Sequence, residues 1–156
     1  MKPTHIVIHH SLTDDSRSVS WEAIRKYHLQ QGWHDIGYHY GIELVGDHYE
    51  IFSGRKPDQI GAHCKEGGMN ACSLGICLVG NYDHIRPSDQ ALALLATLAK
   101  SLQNTWGIPL TNIHRHSDFA SYKSCPGKLF PWAEFIGSLR CGINVNGSCF
   151  NENRKG

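Results

Sequence analysis

The sequence predicts a single-domain α/β fold, with a central mixed β-sheet flanked by helices and a site in a groove at the strand ends. Three observations predict it. Two apolar runs, IVI at residues 6–8 and LGICLVG at residues 74–80, have the length and β-branched content of buried strands. A hairpin pattern lies between them, and stretches of helical periodicity alternate with the strands.

The elements follow in order. THIVIHH reads as a central strand ending near His9. SLTDDSRSVS is a polar loop whose last serines can cap a helix. From Trp21 to about Gln31, Trp21, Ile24, Tyr27 and His28 recur at helical spacing, and Gly32 stops the helix. Tyr38 to Phe52 reads as a hairpin: YHYGIEL, a turn at Val45, Gly46 and Asp47, then HYEIF. A Gly-rich segment leads into SLGICLVG, a buried strand. Pro87, Ser88 and Asp89 open the longest helix, with Ser88 as N-cap. It runs to about Asn104, with Leu94, Leu95, Leu98 and Leu102 as its apolar stripe. NIHRHSDF is a short strand leading into a loop, and PWAEFIGSL reads as a last helix. The domain spans residues 1–139, and residues 140–156 form a C-terminal tail.

Composition bounds the function. A chain of 156 residues, 40% hydrophobic and 19% charged, suits one globular core. A formal net charge of +1 and the lack of a Lys/Arg cluster argue against nucleic acid as a partner. Recognition must come from a shaped site. The apolar run at Ile6–Ile8 is too short for a signal segment or a membrane span, so the expectation is synthesis in the cytoplasm, without membrane insertion. Six cysteines, at 64, 72, 77, 125, 141 and 149, contain no CxxC pair, which argues against a ribbon or finger zinc site. Cys77 reads as a buried small hydrophobe, whereas the pairing of Cys64, Cys72, Cys141 and Cys149 is open.

Three positions have the character of metal ligands. His9 stands at the C-terminal end of a strand, where open α/β sheets place their sites. His116 sits at a strand-to-loop junction in HRHSDF, and Cys125 follows nine positions later in KSCPG. Two imidazoles and a thiolate suit zinc and leave a fourth position open, the mark of a catalytic centre. Taken singly, however, a histidine at a strand end is more often a hydrogen-bonded core residue, and a cysteine before proline more often structural.

Longer motifs sharpen this reading. IVIHHSLT, IRKYHLQQGWHDIGYHYGI, IGAHCKEGGMNACSLGICLVGNYD and IHRHSDFASYKSCPG, in that order, resemble the type 2 N-acetylmuramoyl-L-alanine amidases. That family includes amidase-type phage lysozymes and animal peptidoglycan-recognition proteins. The resemblance covers roughly residues 4–139 and implies a single Zn2+ held by His9, His116 and Cys125. It assigns the metal to His9 rather than His10. It favours His116 over His114, because the family places an acidic residue two positions after the ligand, here Asp118. It further implies that Tyr38 faces the water-activating centre, that Lys123 stabilises an oxyanion, and that His63 is a substrate-binding residue on the groove wall. Trp33 and His34 are expected to border the groove, while Asn81 and Tyr82 are given no role.

The implied activity is hydrolysis of the bond between N-acetylmuramate and L-alanine in peptidoglycan or muropeptides, by a monomeric phage-type endolysin. The rivals are a non-catalytic peptidoglycan receptor, a zinc peptidase acting within the stem peptide, a cytoplasmic recycling amidase and a secreted effector. Receptors of this family typically lose the cysteine ligand, which this chain keeps at Cys125.

Overall fold

A computed structural model describes residues 1–13 and 20–140. The tail beyond Arg140, with Cys141 and Cys149, lies outside the described residues, as does most of the loop that precedes the first helix. Five strands form one mixed sheet in the order β3-β2-β4-β1-β5. They are β1 (His5–His10), β2 (Tyr40–Val45), β3 (His48–Ser53), β4 (Ser73–Leu78) and β5 (Ile113–Arg115). β1 runs parallel to both β4 and β5, β2 is parallel to β4, and β2–β3 is the antiparallel hairpin.

Among the described residues the α-helices are α1 (Trp21–Gln30), α2 (Asp89–Trp106) and α3 (Trp132–Arg140). Ser20 caps α1 through Ala23 N, and Ser88 caps α2 through Ala91 N, so both expected serine signals are used. α2 ends where Gly107 takes the left-handed conformation, at φ 67°. The hairpin turn closes over Gly46 and Asp47, with Val45 paired to His48. Tyr38 and His39, expected within the first hairpin strand, precede it: His39 N donates instead to Gly75 O on β4.

Strand alternation divides the sheet into two unlike faces. Ile6, Ile8, Leu74, Ile76 and Leu78 point one way, and join Leu95, Leu98 and Leu102 of α2 and Phe135 and Leu139 of α3 in the main core. Leu94, expected in the same stripe, is only half-buried, and its place is taken by Ala91, Ala96 and Ala99. The opposite face carries Val7 in one small cluster and Cys77 in another, the latter with Trp21, Ile24, Ile36 and Val79. A methyl group on Gly41 would stand 2.3 Å from the Trp21 ring, so only glycine lets α1 seat its tryptophan on β2. Glu43 then accepts the Trp21 backbone N–H at 2.8 Å. Tyr27, expected in the same helical stripe, is 59% exposed and faces a groove. Among the described residues, no helix is long and apolar enough to cross a membrane.

Candidate metal centre and its groove

The parity of β1 decides which histidine reaches the site. Ile6, Ile8 and His10 fall on the α2 side, whereas Val7 and His9 fall on the other. His10 accordingly turns away, accepts the Tyr82 backbone N–H through Nδ1 at 3.2 Å and stacks on the Tyr82 ring. His9 projects from the strand end onto the opposite face and is fully buried.

β5 ends at Arg115, and the chain enters a short 3-10 turn, His116–Asp118. Asp118 closes that turn by accepting from the Arg115 backbone N–H and guanidinium. This swings the His116 ring to within 4.5 Å of the His9 ring, centroid to centroid. His114 faces elsewhere, against His5 and Phe119. The segment after the turn folds back, with Ser117 N donating to Cys125 O, and brings Cys125 alongside. The His10 backbone N–H donates to its sulfur at 3.4 Å, and His9 Nδ1 lies 3.7 Å from that sulfur.

One ligand atom from each of His9, His116 and Cys125 therefore lies within 4.8 Å of the other two, all three side chains being buried. Burial holds the His9 imidazole well below its usual pKa, reinforced by the neighbouring His63, His116 and Lys123. Burial likewise lowers His116, aided by Lys123 and opposed by Glu66. Both rings are therefore neutral near pH 7, the form that binds a cation. Burial pushes the Cys125 thiol up to about 12. A divalent ion between these atoms would release that proton and satisfy the sulfur. His116 Nε2 is buried without a hydrogen-bond partner, 3.7 Å from a Glu66 carboxylate oxygen. Two neutral imidazoles, one of them with an unsatisfied ring nitrogen, and one sulfur fit a zinc ion. Cys64 and Glu66 also bring donors near His116, which belongs to both groups.

The centre lies at the floor of a groove of about 640 Å³. Tyr38 and Lys123 line it, as do Tyr27, His28 and Trp33 on one wall and Tyr122 on another. His28 stacks on Trp33 at 4.4 Å and accepts the Gly37 backbone N–H, which fixes the segment leading to Tyr38. The Tyr38 ring tilts against His9 at 5.2 Å. Burial, with the Cys77 and Cys125 sulfurs nearby, raises the Tyr38 phenol well above its ordinary pKa, so it remains a proton donor. Lys123 is anchored by its backbone N–H to Ala120 O, two residues before Cys125.

His63 is placed differently from a simple wall residue. It borders the groove, but His9 Nε2 is 3.0 Å from its Nδ1, and Ser73 O is 3.4 Å from its Nε2. Both ring nitrogens thus have partners within the protein. Trp33 lies on the groove as expected, whereas His34 is not among its lining residues. Sequence reasoning passed over Glu66 and Tyr122, which bond to each other at 2.6 Å beside His116. The acidic residue in the GAHCKEGG segment is the signal that points to the first of them. Among the described residues, Cys64, Cys72, Cys77 and Cys125 form no disulfide with one another.

Known proteins resemble this chain in sequence and fold. The profile of the N-acetylmuramoyl-L-alanine amidase family matches residues 1–128. The endolysin of Enterobacteria phage K11 is 35% identical over 124 residues, which is 76% of this chain and 77% of that protein. The endolysin of Escherichia phage T7 is 41% identical over 78 residues, 50% of this chain and 48% of that protein. Among solved structures, the N-acetylmuramoyl-L-alanine amidase LysC from Clostridium intestinale superposes with a TM-score of 0.77 at 32% identity, covering 90% of this chain and 87% of that one. The Drosophila protein PGRP-LB, solved in complex with tracheal cytotoxin, superposes with a TM-score of 0.70 at 28% identity, covering 86% and 80%.

Proposed function

Because the chain belongs to the N-acetylmuramoyl-L-alanine amidase family, we propose that it hydrolyses the amide joining N-acetylmuramate to L-alanine in peptidoglycan, as a phage-type endolysin acting on the cell wall. The observation that carries this reading is the convergence of His9, His116 and Cys125 on the floor of an open groove, with Tyr38 and Lys123 beside them.

His9, His116 and Cys125 would hold one zinc ion. Bound there, zinc supplies a Lewis acid that activates water and polarises the scissile carbonyl. The rest of the chemistry falls to side chains of this chain. Attack on the amide carbon develops negative charge on the carbonyl oxygen, and the ammonium of Lys123 stabilises that charge. The Tyr38 phenol, kept protonated by its surroundings, orients the attacking water through its O–H. The aromatic wall of Tyr27, His28 and Trp33 offers flat apolar surface against which a sugar ring can lie.

Digestion of purified sacculi followed by mass spectrometry tests the reading. The expected products are lactyl-sugars free of peptide and stem peptides beginning at L-alanine. Cleavage only within the stem peptide would make the chain a peptidase, and binding without cleavage would make it a receptor.

A further inference from the structure

We infer that His63 is a positioning residue which fixes the tautomer and orientation of His9, so that the ring presents a lone pair at Nδ1 to the metal. The inference rests on the zinc reading above and assigns His63 a role other than direct contact with substrate.

The argument is a chain of donors and acceptors. The Ser73 carbonyl can only accept, so His63 Nε2 is the nitrogen that carries hydrogen. In a neutral imidazole the other nitrogen is then an acceptor, and His63 Nδ1 takes a hydrogen bond from His9 Nε2 at 3.0 Å. His9 Nε2 therefore holds the proton of its ring. That leaves Nδ1 unprotonated, on the side where Cys125 Sγ lies 3.7 Å away. A ligating histidine whose second nitrogen donates to a fixed acceptor is held in the correct tautomer and aim.

The position of His63 is itself built. A methyl group on Gly75 would stand 2.5 Å from His63 Cγ, and one on Gly61 2.5 Å from His63 Cδ2. Two glycines on different segments thus form the slot in which the ring stands on edge to His9, with an interplanar angle of 84°. Asn70 secures the loop by accepting from the backbone N–H groups of both His63 and Cys64 through one side-chain oxygen. Neither nitrogen of the ring is left without a partner.

The test compares His63→Phe, which keeps a ring but removes the acceptor, with His63→Asn, whose side-chain oxygen can stand near the Nδ1 position. Zinc affinity is measured by competition with a chromophoric chelator, alongside kcat and KM on muropeptides. Long-range 1H–15N spectra of the zinc-free wild type report the His9 tautomer. The inference expects His9 protonated at Nε2, a loss of roughly 10- to 100-fold in zinc affinity for His63→Phe, and affinity nearer wild type for His63→Asn. Wild-type zinc affinity in His63→Phe, with a raised KM, would overturn it and restore His63 to the substrate-binding wall. Should His63→Phe fail to fold, a His9 ring protonated at Nδ1 in the wild type would overturn it instead. A wild-type chain that binds no zinc would defeat the metal reading before any variant is compared.

Discussion

The two faces of one sheet show how stability and chemistry are divided in this molecule. On one face Ile6, Ile8, Leu74, Ile76 and Leu78 are wholly buried under α2 and α3. On the other, the residues between them are small or polar: Val7 and His9 on β1, Ser73, Gly75 and Cys77 on β4. The first face is filled to exclude water. The second leaves space in which His63, Tyr38 and His9 can pack ring against ring. Side chains one position apart on a strand thus serve different ends, which is why a one-residue shift in β1 would put His10 where His9 must stand.

Substitutions should separate the faces, and the largest effect belongs to the site face. Cys125→Ala removes the proposed anionic ligand, so bound zinc and amidase activity should both fall to background while far-UV circular dichroism is unchanged. Next come the proposed roles of Lys123 and Tyr38. Removing one donor to a developing charge typically costs ~10²–10³-fold in rate. Lys123→Met should fall in that range in kcat with zinc content intact, and Tyr38→Phe should also lose turnover at full zinc occupancy. A Tyr38→Phe enzyme that turns over at wild-type rate would remove Tyr38 from the mechanism.

On the helix face the pattern reverses. Leu95→Ala empties part of the core between α2 and the sheet and should cost about 2–5 kcal/mol of stability in denaturant titration, with turnover per folded, zinc-loaded molecule preserved. A loss of turnover in parallel would show that the faces are coupled more tightly than their packing suggests.

A smaller effect concerns pH in the zinc-free protein. Burial lowers His9 and brings His63 down to about 3 from an ordinary 6.5. The unfolded chain therefore binds protons more readily than the folded one below about pH 6.5. The stability these neutral rings contribute is complete above that value and is lost as pH falls below it, at up to roughly 1.4 kcal/mol per pH unit for each ring. Chemical denaturation of the chelated protein between pH 7 and pH 4 checks the sign. Stability that rises on acidification would contradict it.

Much of this division is legible in the sequence. Periodicity and capping place β1, β4, α2 and α3, because buried strands and amphipathic helices write their burial locally. The hairpin is legible from its turn residues. The site is legible only in part. His9, His116 and Cys125 stand out through motifs, but their meeting depends on the β1–β5 pairing and the fold-back after Asp118, neither of which leaves a local trace. The role proposed for His63 is hidden for the same reason: its partners, His9 and Ser73, come from β1 and β4, and the slot needs Gly61 and Gly75 together. Tyr27 misleads, since its helical spacing suits a core stripe, yet it faces the groove. Periodicity reports which residues share a side of a helix, and it cannot separate a groove wall from a core.

The most direct test is to titrate the fully chelated protein with zinc and follow peptide release from intact sacculi against metal bound. The account predicts no release at zero metal and a linear rise that ends at one zinc per chain. Release at full rate from the metal-free chain, or saturation unrelated to bound zinc, would contradict it.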